Sequence, residues 1–332
     1  MAFVLFLSDQ APACEDAYAR RLGALLGAVA VPIAGRVPVP DEAGYAAARA
    51  AWEAFGAEVR PLIASSVLPA FAPLADLFLT RRAAVLIHEP IGSVAESPDR
   101  DRQLLVAVQR RVLALAPSIV TSSEAAANAI AVGAAIPHGR IAVIEPPTPE
   151  LGRAHGSAGL EAMIFSPDAP SADNRHGVLL AALAGLADLD WQLCVAGPAA
   201  AGTTHLDELA GLAGELGLAS RVRFAVASET LWRASDLFAR GSSHLGYDLA
   251  TAAALKRGLP VVICGDERSR PAIPSEAGAI APPGDRAQLG KALRRLIFDR
   301  GLRKLMAEGA WQAGQALPRS EVLQAQLLAA LE

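Results

Sequence analysis

Aromatic residues make up only 5% of this 332-residue chain, too few for the stacking platforms that hold nucleic-acid bases. Charged residues are also sparse at 19%, and acids outnumber bases, 34 to 30, for a formal charge of −4. No basic cluster tracks a phosphate backbone, so nucleic acid is not expected as a partner. Cysteine occurs three times, at Cys14, Cys194 and Cys264, with no CxxC pair and no histidine at ligand spacing. That excludes a disulfide framework and a structural zinc site, and it fits a reducing compartment. A signal sequence is not expected: the start, MAFVLFLSDQ, has no basic residues, and its apolar run Ala2–Leu7 is one strand long. The longest apolar run, Leu22–Gly35, is shorter than a membrane span and contains Pro32. These absences predict a cytoplasmic chain without a transmembrane segment, and they leave peripheral membrane contact open.

What is abundant is apolar: 52% of residues, enough for two buried cores. Apolar stretches of strand length alternate with segments of helical spacing. In the first half the predicted strands are Ala2–Leu7, Ala28–Ile33, Val59–Ile63, Ala83–Ile87, Ser118–Thr121 and Ile141–Ile144. Between them lie helices over Glu15–Leu26, Asp41–Phe55, Pro73–Leu79, Asp99–Leu115 and Glu124–Val132, the last capped by Ser122 or Ser123. Residues 145–158, rich in proline and glycine, read as a linker. A second series follows, with strands at Ala162–Phe165, Trp191–Ala196, Arg221–Phe224, Leu237–Phe238, Pro260–Ile263 and Gly278–Ile280. Its helices are Gly177–Gly185, His205–Leu216, Glu229–Ala234, Leu249–Lys256, Arg286–Phe298 and Gly301–Ala313, before a final helix at Ser320–Leu331. This rhythm predicts an α/β protein of two doubly wound parallel-sheet domains, 1–150 and 159–318.

The stretch Gly241–Val262, GSSHLGYDLATAAALKRGLPVV, resembles the donor-binding core of retaining glycosyltransferases of family 4, which have the GT-B fold of two Rossmann-like domains. The matching frame is Ser242, Gly246, Tyr247, Gly258, Pro260, Val261 and Val262. Ser118–Ser123 with Arg140–Ile144, Asn174–Gly177, Val195–Gly197, Arg221–Phe224 and Pro282–Asp285 fall in the family's order. The resemblance implies a cleft between the domains, a donor-side second domain, an acceptor-side first domain, and a C-terminal helix, 320–332, that returns to the first domain. It also implies transfer of a hexose from a nucleotide-sugar to an unknown acceptor, with retention and without metal or other cofactor.

The chemistry that the resemblance brings is altered at several positions. The two glutamates of the family's donor site fall on Leu245 and Ala253, and a methyl group accepts no hydrogen bond from a ribose hydroxyl. The family's phosphate-neutralising lysine falls on His176, with Arg175 beside it as a permanently charged substitute. Asp248 replaces a glycine close to sugar and phosphate. A carboxylate there repels a diphosphate by about 1 kcal/mol, unless it serves as the cap of the following helix. The turn after the first strand, Ser8–Cys14, has no glycine, so backbone cradling of an anion is not expected there.

The remaining candidates stand at strand ends. His88, beside Glu89 and Pro90, ends a strand where open α/β sheets put ligand contacts. With Arg175 and His176 it forms the candidate catalytic set. Gly197, Ser228, Glu229, His244, Gly246, Tyr247, Asp248, Arg268 and Arg270 form the candidate donor-binding set. The four tryptophans are expected to pack, not to carry sugars. Three functions follow: a glycosyltransferase with an atypical donor site, an inert relative that acts as a binding module or protein partner, or a protein whose cleft binds a different phosphorylated or nucleotide-like ligand.

Overall fold

Two parallel sheets of six strands each organise the chain. A computed structural model describes residues 2–9, 13–90, 99–167, 175–197, 203–241, 246–265 and 271–332. Contacts divide the chain into one unit of Met1–Pro147, Leu245–Tyr247 and Pro318–Glu332, and another of Thr148–His244 and Asp248–Leu317.

The first unit contains β1 (Ala2–Ser8), β2 (Val29–Ile33), β3 (Val59–Ala64), β4 (Ala84–Ile87), β5 (Ser118–Thr121) and β6 (Ile141–Val143), in the order β2-β1-β3-β4-β5-β6. Period-two alternation divides β1 between two cores. Val4 and Phe6 join Ile63, Phe71 and Val85 on one face, whereas Phe3, Leu5 and Leu7 join Tyr18, Leu22 and Leu86 on the other. Pro32 lies in β2, an edge strand, where its missing N–H costs no ladder bond. The helices are α1 (Ala13–Leu25), α2 (Glu42–Glu53), α3 (Asp99–Leu115) and α4 (Glu124–Ala134). Ser123 caps α4 by accepting from Ala126 N at 3.0 Å, which leaves Ser122 for another task.

One expected helix is different. Instead of an element over Pro73–Leu79, a run of 3-10 turns covers Ser65–Leu77 and contains Pro69 and Pro73. Two prolines remove donors that an α-helix of this length needs, so the segment follows tighter turns while still burying Val67, Leu68 and Phe71.

The second unit contains β7 (Ala162–Ser166), β8 (Trp191–Gly197), β9 (Val222–Val226), β10 (Leu237–Arg240), β11 (Val261–Cys264) and β12 (Gly278–Ala281), ordered β12-β11-β10-β7-β8-β9. Its helices are α5 (His176–Ala184), α6 (Thr203–Glu215), α7 (Glu229–Arg233), α8 (Leu249–Lys256), α9 (Arg286–Phe298) and α10 (Arg300–Gln315). The order reverses between β7 and β10, the switch point of a doubly wound sheet. Ile164, Leu193 and Val262 point into one core, and Phe165, Cys194 and Phe238 point to the other side. Trp232 stacks on Phe238, and Trp191 is buried.

The last helix, α11 (Ser320–Leu331), belongs to the first unit: Leu327 and Leu331 lie in the core with Leu5 and Leu22, and Arg60 donates to the carbonyl of Leu331. Much of the proline- and glycine-rich stretch after β6 is hydrogen-bonded to the second unit. Ala154 N donates to Arg257 O at 2.8 Å, Gly156 N to Arg233 O at 3.2 Å, and Ser157 N to the Asp236 carboxylate at 3.1 Å. No helix among the described residues is long and apolar enough to cross a membrane.

Candidate functional site

Ligands of open α/β sheets bind beyond the carboxyl ends of the strands, at the switch point. In the second unit that point is the end of β7 and β10. Gly241, just past β10, packs against the start of α5. A Cβ at Gly241 would stand 2.5 Å from Arg175 O and 3.1 Å from Leu179 N, so the missing side chain permits this approach. Arg175 occupies the cap position of α5 in the left-handed region (φ 44°), with an exposed side chain. His176 is only 3% exposed. Of the two candidate phosphate partners, Arg175 is therefore the one that solvent reaches.

Arg240, the last residue of β10, is buried, and its Nη1 lies 2.6 Å from Asp248 Oδ1. Asp248 also caps α8: Oδ1 accepts from Thr251 N at 2.9 Å and Oδ2 from Thr251 Oγ1 at 2.6 Å. The repulsion expected of a lone carboxylate is thus replaced by a paired and hydrogen-bonded one. Sequence reasoning stopped this strand at Phe238, because a buried arginine breaks the apolar run. The available signal was that arginine, with an aspartate eight residues later.

Three candidates hold structural bonds. Gly197 ends β8, and its carbonyl accepts from Ala227 N at 3.0 Å. Ser228 caps α7, accepting from Leu231 N at 3.3 Å. Glu229 grips Arg257 with both oxygens, at 2.7 and 2.6 Å, while the Arg257 guanidinium lies over the Trp232 ring at 5.1 Å. Arg257 follows α8 directly, so Glu229 is held at the opposite end of that helix from Asp248, roughly 12 Å away at 1.5 Å per residue. Ala253 lies within α8, half-buried.

In the first unit His88 follows β4 and is half-buried. Its ring stacks on Tyr18 at 5.6 Å, and Nδ1 lies 3.0 Å from Ser122 Oγ, just past β5. Tyr18 OH donates to Ile144 O at 3.1 Å, and burial pushes its phenol well above the usual tyrosine range. Gly246 and Tyr247 pack here too. Tyr247 N donates to Ser122 Oγ at 3.0 Å, and a Cβ on Gly246 would stand 2.7 Å from His88 O. At the end of β1, buried Asp16 accepts from Ser8 N at 3.0 Å and from Ser66 Oγ at 2.7 Å. Asp16, Tyr18, Ser122 and Arg240 were not singled out as site residues from sequence, because isolated polar residues in apolar helices and at strand ends carry no motif.

Structure thus joins His88 with Gly246 and Tyr247, Arg175 with Gly241, and Asp248 with Arg240. His244, Arg268 and Arg270, together with Leu245 and Ser242, lie outside the described residues. Among the described residues no group of three or more His, Cys, Asp and Glu side chains is placed to hold a metal ion.

Residues 169–299 match the family model described as Glycosyl transferases group 1. No curated protein matches the chain in sequence. Solved structures resemble it along its whole length. A glycosyltransferase from Rickettsia africae superposes with TM-score 0.71 at 12% identity, covering 99% of this chain and 97% of that one. HepE from Anabaena, solved with UDP and glucose, gives 0.76 at 15% identity over 100% and 99%. Sucrose-phosphate synthase from Thermosynechococcus elongatus gives 0.76 at 16% identity over 99% and 98%. Identities this low establish the fold alone. The chain has the GT-B fold found in these glycosyltransferases, and its residues 169–299 match the Glycosyl transferases group 1 model.

Proposed function

We propose that this protein is a glycosyltransferase that moves a hexose from a nucleotide-sugar to an acceptor, with retention and without a metal ion. The reading rests on one observation in particular: within the group 1 domain, an exposed arginine, Arg175, stands at the first turn of α5 beside the switch point. Backbone N–H groups and a permanent positive charge meet there, the combination that a departing nucleoside diphosphate requires when no metal balances it. In this reading the second domain takes the donor, the first takes the acceptor, and His88 faces the transferred sugar or acceptor. Gly246 and Tyr247 stand beside His88, and His244, Arg268 and Arg270 are proposed to contact the donor. Anabaena HepE, of the same fold, has been solved with UDP-glucose, which makes that donor the first to test.

A second reading, an inert relative that serves as a binding or partner subunit, is favoured by Ala253, where no side chain can take up a ribose hydroxyl. Calorimetry with UDP-, GDP-, ADP- and TDP-sugars separates the two. The enzyme reading expects binding of one donor, weakened roughly tenfold to a hundredfold in Arg175→Ala, as for loss of a charged hydrogen bond. No heat with any donor at millimolar concentration rejects it.

A further inference from the structure

We infer that Ser122 is a positioning residue that sets the tautomer of His88, holding the imidazole proton on Nδ1 and leaving Nε2 as the hydrogen-bond acceptor. Hydrogen-bond accounting around a single oxygen carries the argument. A serine hydroxyl has one proton to give and two lone pairs to receive. Ser122 Oγ has three neighbours: His88 O at 3.1 Å, Tyr247 N at 3.0 Å and His88 Nδ1 at 3.0 Å. The carbonyl oxygen can only accept, so the hydroxyl proton goes to it. The amide of Tyr247 can only donate, so it takes one lone pair. One lone pair is left for Nδ1, and Nδ1 can meet it only as an N–H donor. All three capacities of the hydroxyl are then used, and only with a proton on Nδ1 are all three contacts hydrogen bonds.

The surroundings keep this arrangement in place. Ser122 is fully buried, so water does not compete for its oxygen. Tyr18 stacks on the imidazole with an interplanar angle of 28° and fixes its plane. Gly246 closes the other approach: a Cβ there would stand 2.8 Å from Cε1 and 2.9 Å from Nδ1. A buried hydroxyl in contact with a histidine nitrogen thus does what a carboxylate or carbonyl does in other sites, where the partner of one ring nitrogen decides the state of the other.

The consequence deepens the proposed function and rests on that reading for its meaning. In neutral His88 so protonated, Nε2 carries no proton, so that atom accepts hydrogen bonds and cannot donate one to a phosphate oxygen. It is therefore a reader of sugar or acceptor hydroxyls, and the diphosphate charge falls to Arg175.

The tautomer is measurable on the free protein, without donor or turnover. Long-range proton–nitrogen correlation spectra of protein carrying isotope-labelled histidine distinguish the two neutral forms, and the His88 signal is identified by its loss in His88→Asn. The expected result is a protonated Nδ1 and a bare Nε2 in neutral His88. Ser122→Ala is expected to lose this preference, and Ser122→Thr, which keeps the hydroxyl, to retain it. A wild-type spectrum with the proton on Nε2 overturns the inference, whether or not the variants fold. So does an unchanged pattern in folded Ser122→Ala. Failure of donor binding in calorimetry rejects the enzyme reading and leaves the tautomer result standing.

Discussion

Arg240 at the end of β10 and Asp248 at the start of α8 form a buried ion pair with 2.6 Å between Nη1 and Oδ1. The pair ties a strand to the helix that follows it. Both side chains are largely buried, so removing one member of the pair is costly. Asp248→Ala, which also removes the cap on Thr251, is expected to destabilise the protein by about 3–5 kcal/mol in denaturant unfolding. Arg240→Leu combined with Asp248→Gly is expected to recover most of that loss. A double variant as unstable as Asp248→Ala would refute the coupling.

Gly241→Ala tests the approach of β10 to α5. Its methyl would stand 2.5 Å from the Arg175 carbonyl, and backbone on both sides leaves little room to yield. A loss of about 1–3 kcal/mol is expected, as for other overpacked positions. A thermal midpoint within a degree of wild type would contradict it.

Asp236 organises the start of the second unit. Its carboxylate accepts from Ser157 N at 3.1 Å, Ser157 Oγ at 2.6 Å and Met163 N at 2.9 Å. Asp236→Ala strips three donors of their acceptor at once and is expected to cost about 2–3 kcal/mol. Hydrogen exchange at Met163 should rise in parallel. Unchanged protection there would show that the carboxylate is dispensable.

Glu145 provides a pH test. Burial raises its carboxyl above the usual range. A folded pKa above the unfolded one gives stability that is present below the unfolded carboxyl range and is lost as pH rises through the folded value. Glu145→Gln should therefore be more stable than wild type at neutral pH, and the advantage should shrink on acidification toward pH about 4. An advantage that grows in acid would reverse the sign.

How much was legible beforehand varies with the type of signal. Apolar runs bounded by Gly, Pro and polar residues marked central strands such as β4 and β11, which are buried on both faces and apolar throughout. The 3-10 run of Ser65–Leu77 was missed because its prolines interrupt the helical period while its apolar residues still pack. Arg240 was missed for the opposite reason: a charge inside a strand reads as its end until the partner that neutralises it is known.

The sequence by itself determined the fold class, the alternation of strands and helices, and the absence of side-chain acceptors at Ala253, because these depend on local composition and spacing. Tertiary structure alone decided which polar residues share a site. Asp248 is a capped ion-pair member and not a bare charge; Glu229 belongs to the Arg257 clamp; Ser123 caps α4 while Ser122 holds His88. Two of these depend on distant partners, Arg257 being 28 residues from Glu229 and His88 34 residues from Ser122, and a side chain's charge or proton is set by what the fold brings within 3 Å of it.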